Sequence, residues 1–172
     1  MKKLPFLLFT MAIFFFTQCK KDNFPAATMS GEDTFGCRVD GEEWTPKKKP
    51  NSIGGLNNSP LRVRFSDITN GLTISAVRYH SENSFDQFSF GIKMNPEGIG
   101  IYSISPGSAF FGGDCSYYEV DTSSFNQMEI VKFDREERVV SGNFEFTLLS
   151  PENDCFESIA ITDGRFDANY SL

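Results

Sequence analysis

Over most of this chain apolar residues recur at every second position. Val140, Gly142, Phe144, Phe146 and Leu148 alternate with Ser141, Asn143, Glu145 and Thr147. Phe88, Phe90, Ile92 and Met94 alternate with Ser89, Gly91 and Lys93, and Phe166, Ala168 and Tyr170 with Arg165, Asp167 and Asn169. One apolar face and one wet face is the mark of an antiparallel sheet. Shorter runs read as further strands: 61–65 (LRVRF), 71–80 (GLTISAVRYH), 99–104 (IGIYSI), 117–120 (YYEV) and 127–133 (QMEIVKF). No window carries a 3.6-residue stripe. Asp40-Gly41, Asn70-Gly71 and Asp163-Gly164 supply the positive φ angles that tight hairpin turns need. The pattern predicts an all-β domain of about nine or ten short strands, an antiparallel sandwich or a small lipocalin-like barrel, with both architectures open.

The alternation starts only at Thr34, and what precedes it is of another kind. Met1-Lys2-Lys3 is followed by a 13-residue apolar run, Leu4 to Phe16, interrupted by Pro5 and Thr10. Crossing a bilayer takes about 20 apolar residues. A run this short behind a basic start fits a secretory signal peptide, read here as residues 1–18. It ends in Phe-Thr-Gln-Cys, and a cysteine at that place resembles the lipobox of bacterial lipoproteins. Phe16 and Gln18 depart from the usual Leu-Ala-Gly pattern. The resemblance implies that Cys19 carries lipid and becomes the N-terminus. It also implies attachment to the outer membrane, on its periplasmic face or at the cell surface. Two or more acyl chains give a stable anchor where one binds reversibly. Residues 19–33 hold Pro, Gly, Ala and Ser without hydrophobic period and read as a flexible tether, leaving 34–172 as a single domain.

Charge narrows the range of partners. The chain is 172 residues long with a net charge of −7, and loss of residues 1–18 removes two lysines and no acid. A negative field repels phosphate backbones, so nucleic acid is not an expected partner. Phe is the unusual component at 19 residues, five of them in the first sixteen positions, and the rest suffice for an aromatic core.

Three segments together carry a family resemblance: TFGCRVDGEEWTP (34–46), MEIVKFDREERVVSGNFEF (128–146) and IAITDGRFDANY (159–170). They resemble a domain of unknown function common in small lipoproteins of Bacteroidota, the family DUF6252. The resemblance spans nearly the whole mature chain and implies an all-β exported lipoprotein domain. It brings no activity and no catalytic residue.

With Cys19 lipidated, Cys37, Cys115 and Cys155 remain in a compartment that permits disulfides. Cys37 lies within an alternating run and reads as a small buried hydrophobe. Cys115 and Cys155 lie in polar turn segments, and their pairing is favoured. It would close a loop of about 40 residues, worth about 4 kcal/mol in the chain-entropy account.

Catalytic chemistry finds little support. The single histidine, His80, ends a strand and reads as solvated. No C-x-x-C or H-x-x-x-H spacing offers a metal site, no G-x-S-x-G elbow offers a nucleophile, and no cofactor motif is present. Oxygen-rich stretches at 150–155 and 162–167 lack the calcium-loop spacing. Glu42-Glu43 beside Trp44 has the composition of a sugar site, but a lone Trp in a small β-domain is usually core. Lys47-Lys48-Lys49 reads as a solvated loop, with anionic lipid or polysaccharide as the alternative contact. Phe110, Phe111, Tyr117 and Tyr118, read as part of a loop at 105–118, are placed to touch a ligand, or else Phe110 and Phe111 plug the end of the core. Two functional readings follow. One is a membrane-anchored, non-catalytic β-domain that binds a glycan or protein partner or serves envelope structure. The other is a polysaccharide-acting hydrolase using an Asp/Glu pair.

Overall fold

Period-two alternation becomes strand wherever turn residues bound it. The computed structural model describes residues 24–25, 28–51, 59–95, 97–111, 117–151 and 158–172. Among these it has eleven strands and no helix: β1 (Thr34–Val39), β2 (Glu42–Trp44), β3 (Leu61–Ser66), β4 (Gly71–Tyr79), β5 (Phe85–Lys93), β6 (Gly100–Tyr102), β7 (Ser105–Phe110), β8 (Tyr117–Val120), β9 (Gln127–Asp134), β10 (Val139–Leu149) and β11 (Ser158–Ser171). Asp40 and Gly41, with φ of 48° and 85°, join β1 to β2 in a two-residue turn of the type that suits strand twist. Asn70 at φ 50° leads into β4.

The strands form one hydrogen-bonded sheet in the order β2-β1-β11-β3-β4-β5-β7-β8-β10-β9-β6, with β10 also paired to β11. That extra pairing closes a ring of seven strands. Ring contacts of Phe35 and Phe144 with Phe90, of Trp44 with Phe88 and of Phe133 with Phe65 set the run β2-β1-β11-β10-β9-β6 across the core from β3-β4-β5-β7-β8, and these two runs are the layers of the fold. The layers join at two corners. Tyr170 and Ser171 of β11 lie parallel to Val63 and Arg64 of β3, and Leu148 and Leu149 of β10 lie antiparallel to Val120 and Glu119 of β8. The expected all-β fold is thus one mixed sheet of eleven strands closed into a ring, antiparallel throughout except for the β11–β3 pairing.

The inner faces meet in an aromatic core. Phe35 on β1 lies 5.2 Å from Phe144 and 6.5 Å from Phe90 across the layers, and Trp44 meets Phe88 edge-on at 4.7 Å. Such pairs each contribute about 0.5–1.5 kcal/mol beyond the area they bury. Trp44 is fully buried beside two exposed glutamates, Glu42 and Glu43, so the hairpin reading of that cluster holds.

Two stretches differ from the strand pattern expected. Residues 105–110 are a strand, β7, paired to β5 and β8, and not loop. Asp163-Gly164 is not a hairpin turn but a bulge inside the continuous β11. Between Gly36 and Arg38 of β1, and between Phe144 and Phe146 of β10, β11 spends one residue more than either neighbour. Asp163 takes φ 52° there, and Gly164 is required because a Cβ would stand 2.3 Å from the Phe144 ring.

The described part of the segment read as tether lies on the outer face of the six-stranded layer. Asp167 accepts hydrogen bonds from Thr28 Oγ1 (2.7 Å), from the backbone N–H of Ser30, Gly31 and Glu32 (2.9–3.2 Å), and from Ser141 Oγ (2.7 Å). Asn169 adds two bonds, its backbone N–H to Asp33 and its side-chain amide to the Gly31 carbonyl. The packed chain thus begins by Thr28, upstream of the first strand. Further out, the Phe24 ring lies 4.3 Å from the Arg165 guanidinium and 5.6 Å from that of Arg38.

Candidate functional site

The outer face of β3-β4-β5 forms an open groove of about 550 Å³. Alternation dictates its lining. Leu61, Val63 and Phe65 point into the core, so Arg62 and Arg64 point out. On β4, Leu72, Ile74 and Ala76 turn inward, leaving Thr73, Ser75, Val77 and Tyr79 outward. On β5, Gln87 and Ser89 face the same way. Register sets these side chains in rows: Arg62 is opposite Ser75, which is opposite Ser89, and Arg64 is opposite Thr73. The Ser75 and Ser89 hydroxyls are bonded to each other at 3.2 Å.

Two lysines close one end. Past the start of β3, the edge of β4 is taken over by Lys47, which donates its N–H to the Val77 carbonyl (3.0 Å) and accepts from Tyr79 N–H (3.1 Å). That bridge places Lys48 and Lys49 beside the β3 arginines. The groove therefore gathers four cations, and no carboxylate is among its described lining. In a chain of net charge −7, this is a strong local reversal of sign, and its open polar floor suits an anion that also carries hydroxyls.

A second polar cluster caps the core at the end of β4 and β5. Asp86 is in phase with Phe88, Phe90 and Ile92 and is buried. Its Oδ2 accepts from Arg78 NH2 (2.7 Å), Arg78 Nε (3.1 Å) and Trp44 Nε1 (3.3 Å), and lies 2.9 Å from His80 Nε2. The Arg78 guanidinium also sits 5.3 Å from the Trp44 ring. His80, expected to be solvated, is half-exposed and tied to Asp86. The nearby Cys37 is fully buried and free, and burial pushes its thiol up to about 12, with Arg78 pulling weakly the other way. A thiol held protonated is a poor nucleophile, so the His–Asp pair has no activated partner in Cys37. The sequence carried a signal for this cluster: Arg78 and Asp86 are charged residues at inward-facing positions of two alternating strands.

A third concavity, about 490 Å³, lies on the outer face of the six-stranded layer beside Phe24. It brings the carboxylates Glu129, Glu145 and Asp163 together with Arg38 and Arg165. All three acids are exposed. Asp163 pairs with Arg38 at 3.1 Å, and Glu129 accepts from Asn143 Nδ2 at 3.3 Å.

The residues singled out from the sequence are dispersed. Cys19 and the pair Cys115 and Cys155 lie outside the described residues. The backbone of Phe110 pairs with Gln87 and Tyr117 at the end of β7. Phe111 packs edge-on against Phe88 (5.4 Å) and Tyr118 (5.7 Å), and Tyr118 is buried. Those two rings plug the core. Tyr117, on the opposite face of β8, is exposed and donates to Glu119. The basic groove was not singled out, although Arg62 and Arg64 already stood on the wet face of β3. What the sequence does not give is the Lys47 bridge that brings the lysines to them. No family model, curated protein or solved structure matches the chain.

Proposed function

We propose that this chain is a lipid-anchored lipoprotein of the bacterial outer membrane, attached through Cys19, whose β-domain is a non-catalytic binding module. Its site is the groove on the outer face of β3-β4-β5, and the observation that carries the reading is the concentration there of four cations with no described carboxylate. The likeness to small Bacteroidota lipoproteins belongs to the same proposal.

The docked arm supports this arrangement. Phe24 is five residues on from Cys19, a reach of at most about 18 Å fully extended. Phe24 rests on Arg165 and Arg38, on the outer face of the six-stranded layer. A lipid at Cys19 holds that layer toward the membrane and turns the basic groove, on the opposite layer, away from it.

Two measurements test the reading. Cys19→Ser should move the protein from the membrane to the soluble fraction, and an unchanged membrane fraction overturns the anchor. Arginine-selective modification of the whole chain, with and without envelope material from the source cells, should show Arg62 and Arg64 protected. Equal modification in both samples overturns the groove as binding site.

The second reading, a polysaccharide hydrolase, draws on Glu129, Glu145 and Asp163 in one concavity. Hydrolysis by two carboxylates needs one kept protonated by a desolvating or like-charged setting. These acids are open to water, which favours the non-catalytic reading. Release of reducing sugar that disappears in Glu129→Gln or Glu145→Gln would reverse that preference.

A further inference from the structure

We infer that the groove on β3-β4-β5 takes an acidic polysaccharide, a sugar chain bearing carboxylate or sulfate groups; this rests on the reading of that groove as a binding site. Three features select the class. Arg62 and Arg64 are two residues apart on one strand face, so their origins lie about 7 Å apart along β3 and offer a row of cations, not a single point charge. Guanidinium groups match carboxylate and sulfate oxygens in paired geometry. Lys48 and Lys49 extend the row past the start of β3.

The remaining lining distinguishes a sugar chain from other polyanions. Thr73, Ser75, Ser89 and Gln87 run across the floor on two adjacent strands and present hydroxyl and amide groups. Sugar hydroxyls can exchange hydrogen bonds with each of them. A single-stranded nucleic acid is held by stacking its bases on aromatic platforms, and Tyr79 is the one aromatic ring among the described lining. A lipid surface is met by basic residues flanked by apolar groups that enter the headgroup region. Among the described lining Val77 is the one aliphatic side chain, apart from Pro60 at the edge.

The test uses the whole chain, made lipid-free by Cys19→Ser, and five probes. These are polygalacturonate, dextran sulfate, unmodified dextran, phosphatidylglycerol vesicles and a thymidine oligonucleotide. Polygalacturonate or dextran sulfate should bind, weakening as salt rises, and unmodified dextran should not. Arg62→Gln/Arg64→Gln should lower that affinity about fivefold per charge removed, about 25-fold together. Arg138→Gln, which removes the same charge in the β9–β10 turn, should leave it unchanged. Circular dichroism of each variant confirms that the sheet is intact.

Binding of unmodified dextran as tight as that of the acidic chains overturns the inference. So does equal affinity in the double variant, or binding of the vesicles or the oligonucleotide alone. The footprint separates the two levels of failure. Protected arginines without affinity for either acidic polysaccharide leave the groove as a site and reject the ligand class, whereas unprotected arginines reject both.

Discussion

Asp167 gathers hydrogen bonds from Thr28, Ser30, Gly31, Glu32 and Ser141 on one carboxylate. Burial on its own would raise its carboxyl, but the donations from Ser141, Thr28 and the backbone of the arm outweigh it and hold the group at about 2. The sign of the pH effect follows. A depressed carboxyl stabilises the fold above the unfolded value near 4 and loses that contribution as pH falls toward 2. The shift corresponds to roughly 2 kcal/mol. Asp167→Asn should lower unfolding free energy by about 2–3 kcal/mol at pH 7, because a side-chain N–H₂ then faces backbone donors. In urea titrations the gap between wild type and variant should narrow between pH 4 and pH 2; a gap independent of pH would contradict the assignment.

Arg78 and Asp86 make a different case, because the carboxylate is inside the core. Removing one partner of a buried pair costs more than removing both. Arg78→Met should destabilise by about 3 kcal/mol, and Arg78→Met/Asp86→Leu should recover most of that loss. Trp44 reports on the same site by fluorescence, since Asp86 accepts from its indole N–H and Arg78 lies over its ring. Additive losses in the two-step series would refute the coupling.

At the scale of elements, β11 does most to shape the molecule. It pairs with β1 and β10 over its length and reaches β3 with its last residues. Its bulge at Asp163 lets one long strand serve the six-stranded layer and then turn the corner. Gly164→Ala would drive a Cβ into the Phe144 ring and carbonyl, at 2.3 and 2.5 Å. Overpacking of this kind should cost about 3 kcal/mol, read as a lower urea midpoint with an unchanged slope. The sequence displayed most of these elements, because alternation and turn residues are local. Asp40-Gly41 was legible for that reason. The same dipeptide logic misread Asp163-Gly164, since a positive φ serves a bulge as well as a turn, and only the pairing partners on both sides decide between them. β7 is not legible because Pro106 and Gly107 mask a strand whose support comes from β5 and β8. The ring closure and the basic groove depend on contacts between segments far apart in the chain, and no local period encodes those.

At the scale of the whole molecule, the docked arm and the basic groove lie on different layers. The six-stranded layer carries the docked arm and a concavity lined by three carboxylates. The five-stranded layer carries four cations in one groove. If lipid at Cys19 holds the first face to the membrane, the short span to Phe24 leaves little freedom for the domain to turn over. A photo-crosslinking residue placed at Glu129 should therefore join to lipid in intact membranes, whereas one placed at Ser75 should not. Weakening the Asp167 nest lengthens the free span from Phe24 to about Thr34, roughly tripling the reach of the anchor. Asp167→Asn should accordingly reduce the lipid adducts at Glu129 and allow some at Ser75. Equal crosslinking at the two sites in the unaltered protein would mean that the arm does not orient the domain, and the outward-facing groove would lose its main geometric support.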